Sequence, residues 1–431
     1  MQGTDTSMAP TALRAITPLA LCAFTASTAA GVGLPALTVA VREQRSGLVA
    51  NPPSADHPTA LPAFVGRIAA LDAACLPATL AAWDCRATRL AWLGLHTDGF
   101  AAAAADAVQR HGPTRVGLVL GTSASTIAAS EQAYRHLGPD GGFPPALQLR
   151  ALHSPHAVTA FCALQLGITG PAVTVSTACS SSARAFGQAE RWLRLGLVDA
   201  VVVGGVDALC DSVLYGFHAL GLVSPEACRP FDAARRGISV GEAAGFALLE
   251  RQSAGAPAPL QLLGYGEAND AHHMSSPHPQ GLGAELSLDQ ALARAGLQAQ
   301  DIQHLNLHGT GTAQNDAVEA ALVARRYAAT VHASATKGLT GHTMGAAGIV
   351  EAVLCLLALR DGCCPGSAQV QAPDPALGER FAGQLQLLPR HCTPVLAASH
   401  SFGFGGNNAV LLFGAGAASQ RHAATSRRNA A

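Results

Sequence analysis

Cys179, His308, His342 and Lys337 are the residues whose types and settings could do chemistry together. Cys179 closes the run Val173-Thr174-Val175-Ser176-Thr177-Ala178 and opens Ser180-Ser181-Ser182, after which residues 183–195 read as a helix. That pattern puts a thiol at a strand-to-helix junction. There, unpaired N–H groups and the positive end of the helix dipole lower a thiol's pKa and can hold an oxyanion. His308, in Asn306-Leu307-His308-Gly309-Thr310-Gly311-Thr312, and His342 both lie in loops of small residues that follow short apolar runs. Ligands and catalytic groups gather at such strand ends in α/β sheets. Lys337, five residues before His342, is the single lysine in 431 residues, although 27 positions carry Lys or Arg. Arginine serves wherever else a positive charge is wanted, so position 337 asks for a compact ammonium among packed groups. A thiol with two imidazoles and one ammonium is equipment for covalent group transfer.

Elements of a definite kind must position these groups. Apolar runs at 116–121, 173–175, 200–205, 302–307, 331–334 and 395–399 are each followed by helical or Gly-rich stretches, which implies α/β layers. Val240-Gly241-Glu242-Ala243-Ala244-Gly245 leads into an apolar run, as does Phe402-Gly403-Phe404-Gly405-Gly406. The run before Cys179 is echoed by the run before Lys337. Two duplicated halves are the inference: residues 1–250 carry the thiol and residues 251–415 the histidines and lysine, with a join at 251–259 and a disordered tail after Gly416.

Bulk properties exclude several classes. A net charge of -1 gives no electrostatic case for nucleic acid or an anionic membrane. Residues 15–41 carry no charge, but Pro18, Gly31, Gly33 and Pro35 break the apolar run, so a strand, a loop and a helix fit better than a membrane span or an export signal. The 11 cysteines show no C-x-x-C pair and no zinc spacing and read as reduced thiols of a cytoplasmic protein, with no metal site.

Four motifs in order resemble one family: Thr177-Ala178-Cys179-Ser180-Ser181, His308-Gly309-Thr310-Gly311-Thr312, the run from Lys337 to His342, and Ser401-Phe402-Gly403-Phe404-Gly405-Gly406. They look like the signatures of the elongating β-ketoacyl-acyl carrier protein synthases of the thiolase superfamily. The likeness extends through Arg229-Pro230-Phe231-Asp232 and Gly264-Tyr265-Gly266 and weakens before about Arg115 and after Gly416. It implies a thiolase-like layered α-β-α-β-α fold from two duplicated halves. It also implies a decarboxylative Claisen condensation of malonyl-carrier protein with an acyl group held on Cys179. In that reading His308 and His342 are neutral N–H donors to the enolate oxygen, and the backbone N–H groups of Cys179 and Phe404 meet the acyl oxyanion. Lys337 organises the site beside His342 with Glu351 as its ion-pair partner, and Thr310 and Thr312 bond pantetheine. Phe404, with Phe402 beside it, gates the site, while Asp316 and Asp270 give structural support.

No cofactor is implied, since phosphopantetheine arrives on the acyl carrier protein. The implied partners are that carrier, acyl and malonyl thioesters, and a second ketosynthase-like subunit, identical or not, that completes the acyl pocket. Residues 23–31, His400 and Asn407 depart from the family's pattern. Ser180-Ser181-Ser182 and Gly121-Thr122-Ser123-Ala124-Ser125, the latter expected at a pocket wall, look more like ketosynthases of polyketide or aryl-polyene pathways. The alternative is a non-catalytic or partner-dependent chain-length-determining subunit, against which Cys179 argues. A thiolase would need a second cysteine near the C-terminal turn, and a serine hydrolase a G-x-S-x-G elbow.

Overall fold

The computed structural model describes residues 15–53, 60–148, 151–252 and 257–416. The expected tail beyond Gly416 lies outside them. Ten long strands form the body of an eleven-stranded sheet: β1 (Leu19–Thr28), β2 (Val116–Gly121), β3 (Ala172–Val175), β4 (Ala200–Asp207), β5 (Ala243–Arg251), β6 (Leu260–Asn269), β7 (His304–Leu307), β8 (His332–Ala335), β9 (Leu396–Gly403) and β10 (Asn407–Ala415). Their order across the sheet is β8-β7-β9-β10-β6-β1-β5-β4-β2-β3. Counted from its own first strand, each run of five has the order third-second-fourth-fifth-first. The pairings repeat as well. First with fifth and fifth with fourth are antiparallel, fourth with second and second with third parallel. The fold is the thiolase-like α/β arrangement, and β1 beside β6 joins the two halves through Leu19 opposite Leu262 and Ala20 opposite Gln261.

The uncharged N-terminal segment therefore becomes β1, a tight turn and helix α1 (Gly33–Glu43), with β1 in the middle of the sheet. Buried at Leu19–Leu21 and again at Thr25–Thr28, and flanked by a strand on either edge, β1 carries no charged residue, which is why this segment mimics a signal sequence.

Two helices fill the layer between the half-sheets: α2 (Ser181–Arg194) and α4 (Ala347–Asp361), while α3 (Ala313–Arg326) lies outside. Residues 347–359 of α4 are all buried, the pattern of a helix with no solvent face. α2 and α4 meet closely: a Cβ added at Gly348 would fall 2.5 Å from the Ala183 nitrogen. Ser182 Oγ accepts a hydrogen bond from Ile349 N at 2.9 Å, pinning the first turns of the two helices together. The residues just before each helix are thereby delivered to one place, and these are Cys179 and His342.

One reading of the sequence is corrected. Cys364 is bonded to Cys392 with 6.2 Å between their Cα atoms, so these two are not free thiols. Antiparallel pairing of Cys363 with His391 and of Cys364 with Arg390 brings Cys392 alongside, a proximity that a separation of 28 residues hides.

His304 and His332 pair across β7 and β8, their rings 5.4 Å apart. Burial, and next the neighbouring His332, push His304 from 6.5 down to about 3, and neither of its ring nitrogens finds a well-formed hydrogen bond among the described residues. A base held neutral in the fold contributes stability that is present above pH 6.5 and lost as pH falls towards 3. Between pH 7 and pH 5, urea unfolding should therefore show the wild type losing about 2 kcal/mol more than His304→Leu. Equal losses would contradict a neutral, desolvated His304.

Candidate active site

The turn carrying the thiol is braced by its own serines. Ala178 sits at a φ of 53°, a left-handed conformation that tightens the step from β3 into α2. Ser181 Oγ accepts from Thr177 N at 2.9 Å, and Ser180 Oγ donates to the Thr177 carbonyl at 3.0 Å. With Ser182 reaching across to α4, the three serines after Cys179 each hold a different part of the turn.

On the facing side, His342 Nε2 lies 3.0 Å from Cys179 Sγ. His308, at the end of β7, stands edge-on to His342 with ring centroids 5.4 Å apart and planes at 86°. Lys337 is 1% exposed, and its ammonium contacts the Glu351 carboxylate and the His308 carbonyl. It also lies 3.2 Å from His308 Nδ1. An ammonium only donates, so Nδ1 of His308 accepts and the ring proton is left on Nε2. Burial first, then the Lys337 charge, hold both His308 and His342 well below 6.5, so each is a neutral imidazole. Burial raises Glu351 to about 7 against the pull of Lys337.

The thiol itself departs from expectation. Burial pushes Cys179 up to about 11, outweighing Lys337 and the Phe404 N–H directed at its sulfur. A helix N-terminus lowers a thiol's pKa only while desolvation is small, and here the group is enclosed. Cys179 is thus a thiol at rest with an acceptor, His342 Nε2, at hydrogen-bond distance.

Buried carboxylates hold the loops, and sequence reading missed two of them. Glu319, on α3, accepts from His308 N and Gly309 N, both at 2.8 Å. Asp207, at the end of β4, accepts from Thr122 Oγ1 at 2.7 Å and from Ser123 N and Ala124 N at 2.8 Å. Acidic residues at 316 and 319, one turn apart beside apolar Ala320, Leu322 and Val323, were the available signal for Glu319. Asp316 accepts from Phe231 N at 2.7 Å and from Thr310 N and Gly311 N at 3.2 Å, and burial raises it to about 6. Asp270 accepts from His278 N, Gly283 N and Asn408 Nδ2.

These groups surround a cavity of about 510 Å³ that reaches Cys179, His308 and His342 at its floor and Thr310, Thr312 and Phe404 along its wall. Thr310 and Thr312 hydroxyls lie 2.9 Å apart. Phe404 is half-buried, edge-on to Phe217 at 5.7 Å. The turn after it depends on Gly405 and Gly406, at φ of 73° and 71°. Asn407 Nδ2 donates to the Phe404 carbonyl at 3.2 Å, so the departure at 407 straps that turn. Phe402 also borders the cavity but is buried, packed between His308 and His400 at 5.9 and 5.1 Å. The 121–125 stretch does not border this cavity. A Cβ on Gly345 would lie 2.6 Å from Ser123 N, which places that stretch behind the His342 loop. Among the described residues no cluster of His, Cys, Asp and Glu could hold a metal, and no helix is long and apolar enough to cross a membrane.

Known proteins resemble the chain over most of its length. Residues 85–255 match the model of the β-ketoacyl synthase N-terminal domain, and residues 261–371 that of the β-ketoacyl synthase C-terminal domain. Nodulation protein E of Rhizobium meliloti (strain 1021) is 35% identical over 307 residues, covering 69% of this chain and 75% of that protein. The 3-oxoacyl-(acyl-carrier-protein) synthase 2 of Staphylococcus aureus is 31% identical over 315 residues, 69% of this chain and 77% of its own length. Among solved structures, one chain of the complex of the ketosynthase ApeO with its chain length factor ApeC, from Xenorhabdus doucetiae, has a TM-score of 0.81. It is 32% identical, with 93% of this chain and 98% of that one covered.

The Lys337–Glu351 pair separates stability from chemistry. Lys337→Met leaves a buried carboxyl without its counter-charge and should cost about 3 kcal/mol in urea unfolding. Lys337→Met with Glu351→Gln should recover at least half of that while condensing activity stays lost. Full activity in the double variant would show that the ammonium matters only to folding.

Proposed function

This chain belongs to the β-ketoacyl synthase family, and we propose that Cys179, His308, His342 and Lys337 carry out its condensation. The reaction is the decarboxylative joining of malonyl-carrier protein to an acyl group on an enzyme thiol, giving a β-ketoacyl-carrier protein and CO2. The observation that carries the assignment of residues is the 3.0 Å contact of Cys179 Sγ with a neutral His342, with His308 edge-on and Lys337 behind it.

The steps balance on these atoms. As Cys179 attacks the acyl thioester, its proton passes to His342 Nε2, and the oxyanion is met by the N–H groups of Cys179 and Phe404. The C–S bond to pantetheine then breaks, and the departing sulfur takes the proton back. Nδ1 of His342 has no hydrogen-bond partner among the described residues, so neither tautomer is locked and Nε2 can accept in one half-reaction and donate in the next. Malonyl-carrier protein follows. Its carbon–carboxylate bond breaks, CO2 leaves, and the electron pair forms an enolate whose oxygen accepts from Nε2–H of His308 and His342. The enolate carbon attacks the acyl carbonyl, Cys179 leaves as a thiolate, and one proton is taken up per turnover. A thiolate both attacks and leaves well, which lets one group serve both halves.

Thr310 and Thr312 on the cavity wall are placed to bond pantetheine, and Phe404 on its glycine turn to move as the carriers exchange. The acyl chain is taken to lie towards β3, an edge strand of the sheet among the described residues, where a ketosynthase-like subunit would complete the pocket. Solved structures of a ketosynthase together with its chain length factor support an unlike partner, while Ser180-Ser181-Ser182 carries the reading of a polyketide or aryl-polyene product. The thiol, both histidines and the lysine in one chain support this subunit being the catalytic one. In this reading the join between the halves follows β5, and the protein works in the cytoplasm. The cysteines add nothing to that location, since a disulfide is uncommon in a reducing compartment.

Intact-mass analysis tests the assignment. With an acyl-loaded carrier protein the wild type should gain one acyl mass, and Cys179→Ala none. His308→Ala should still be acylated yet discharge the acyl group with malonyl-carrier protein at least about 100-fold more slowly. An adduct that persists in Cys179→Ala would sink the assignment.

A further inference from the structure

Behind His308 runs a closed chain of buried polar side chains that the condensation as described leaves unused. Tyr327 Oη lies 2.8 Å from His400 Nε2, and His400 Nδ1 lies 3.0 Å from Glu319 Oε1. Glu319 in turn holds the backbone N–H groups of His308 and Gly309. Tyr327, His400 and Glu319 are each 1% exposed or less. Burial keeps the Tyr327 phenol protonated. A carboxylate only accepts, so His400 Nδ1–H donates to Glu319 while Nε2 meets the Tyr327 hydroxyl, and both ring nitrogens have partners. The His400 ring also lies against Phe402, whose other side meets His308. One imidazole thus touches both the loop and the strand that enclose His308.

We propose that His400 is a positioning residue for the malonyl half-reaction: through Glu319 it fixes the His308–Gly309 backbone, and so the aim of the His308 Nε2–H at the enolate oxygen. Among the described residues no hydrogen bond joins Cys179 to Tyr327, His400 or Glu319, and its own side-chain partner is His342, so acylation does not depend on them. The proposal rests on the condensing reading given above.

The two half-reactions can be measured separately by intact mass and CO2 release, using acyl- and malonyl-loaded carrier proteins. An asparagine amide nitrogen occupies the place of imidazole Nδ1, and a glutamine amide nitrogen that of Nε2. His400→Asn therefore keeps the donor to Glu319, and His400→Gln loses it while still reaching Tyr327. In His400→Gln, acylation of Cys179 should stay within about twofold of wild type while discharge by malonyl-carrier protein slows about tenfold or more. His400→Asn should hold both steps within about threefold. Unchanged discharge in His400→Gln would overturn the proposal. So would a parallel fall of acylation and discharge in both variants, which would mark His400 as core filling alone. Failure of the wild type to acylate or discharge would instead overturn the condensing reading.

Discussion

The site depends on one buried ammonium. Lys337 is enclosed with Glu351 on one side and the carbonyl and Nδ1 of His308 on the other. A charge taken from water needs partners on each of its hydrogens, and these three acceptors supply them. In satisfying itself the ammonium also dictates the state of its neighbours. It fixes the His308 proton on Nε2 and, with burial, opposes a positive charge on either histidine. An arginine fork is broader and planar and does not match three acceptors arrayed around a single nitrogen.

The fold exists to bring this lysine and its histidines to a thiol more than a hundred residues away. Two half-sheets of the same strand order each end a parallel strand at a turn into a helix, and the helices α2 and α4 stack between them. Small residues make the stacking close: Gly348 lies on the Ala183 backbone, and a Cβ at Gly205 would lie 2.8 Å from Ser182. Ser182 then ties the helix starts together. Gly403 performs the same service for the gate strand, where a Cβ would sit 3.1 Å from Cys179 N. The distance between sulfur and imidazole is thus set by backbone contacts, which yield little.

Much of this was legible before any coordinates. The solitary Lys337, the strand-to-helix setting of Cys179 and the small-residue loops around His308 and His342 are local signals, and each stands in the site. The alternation of apolar runs gave the layers because a buried strand is apolar whichever way it faces. What escaped the sequence depends on distant partners. Glu319 and Asp207 look like ordinary acidic residues until the loops they hold are folded onto them. Cys364 and Cys392 are neighbours only across an antiparallel pair. His400 is plain as a departure from the family's pattern, but not as a link between Tyr327 and Glu319. The thiol pKa went the wrong way because a helix N-terminus is visible in a sequence and the degree of enclosure is not.

Condensation at this site depends on the protonation state of the two histidines. Histidine-selective 15N labelling, with His308→Gln and His342→Gln to assign the ring signals, reads protonation and tautomer directly between pH 5.5 and 8. Both rings should stay neutral throughout, with the His308 proton on Nε2. A titration midpoint near 6.5 for either ring, or a proton on His308 Nδ1, would contradict the role given to Lys337.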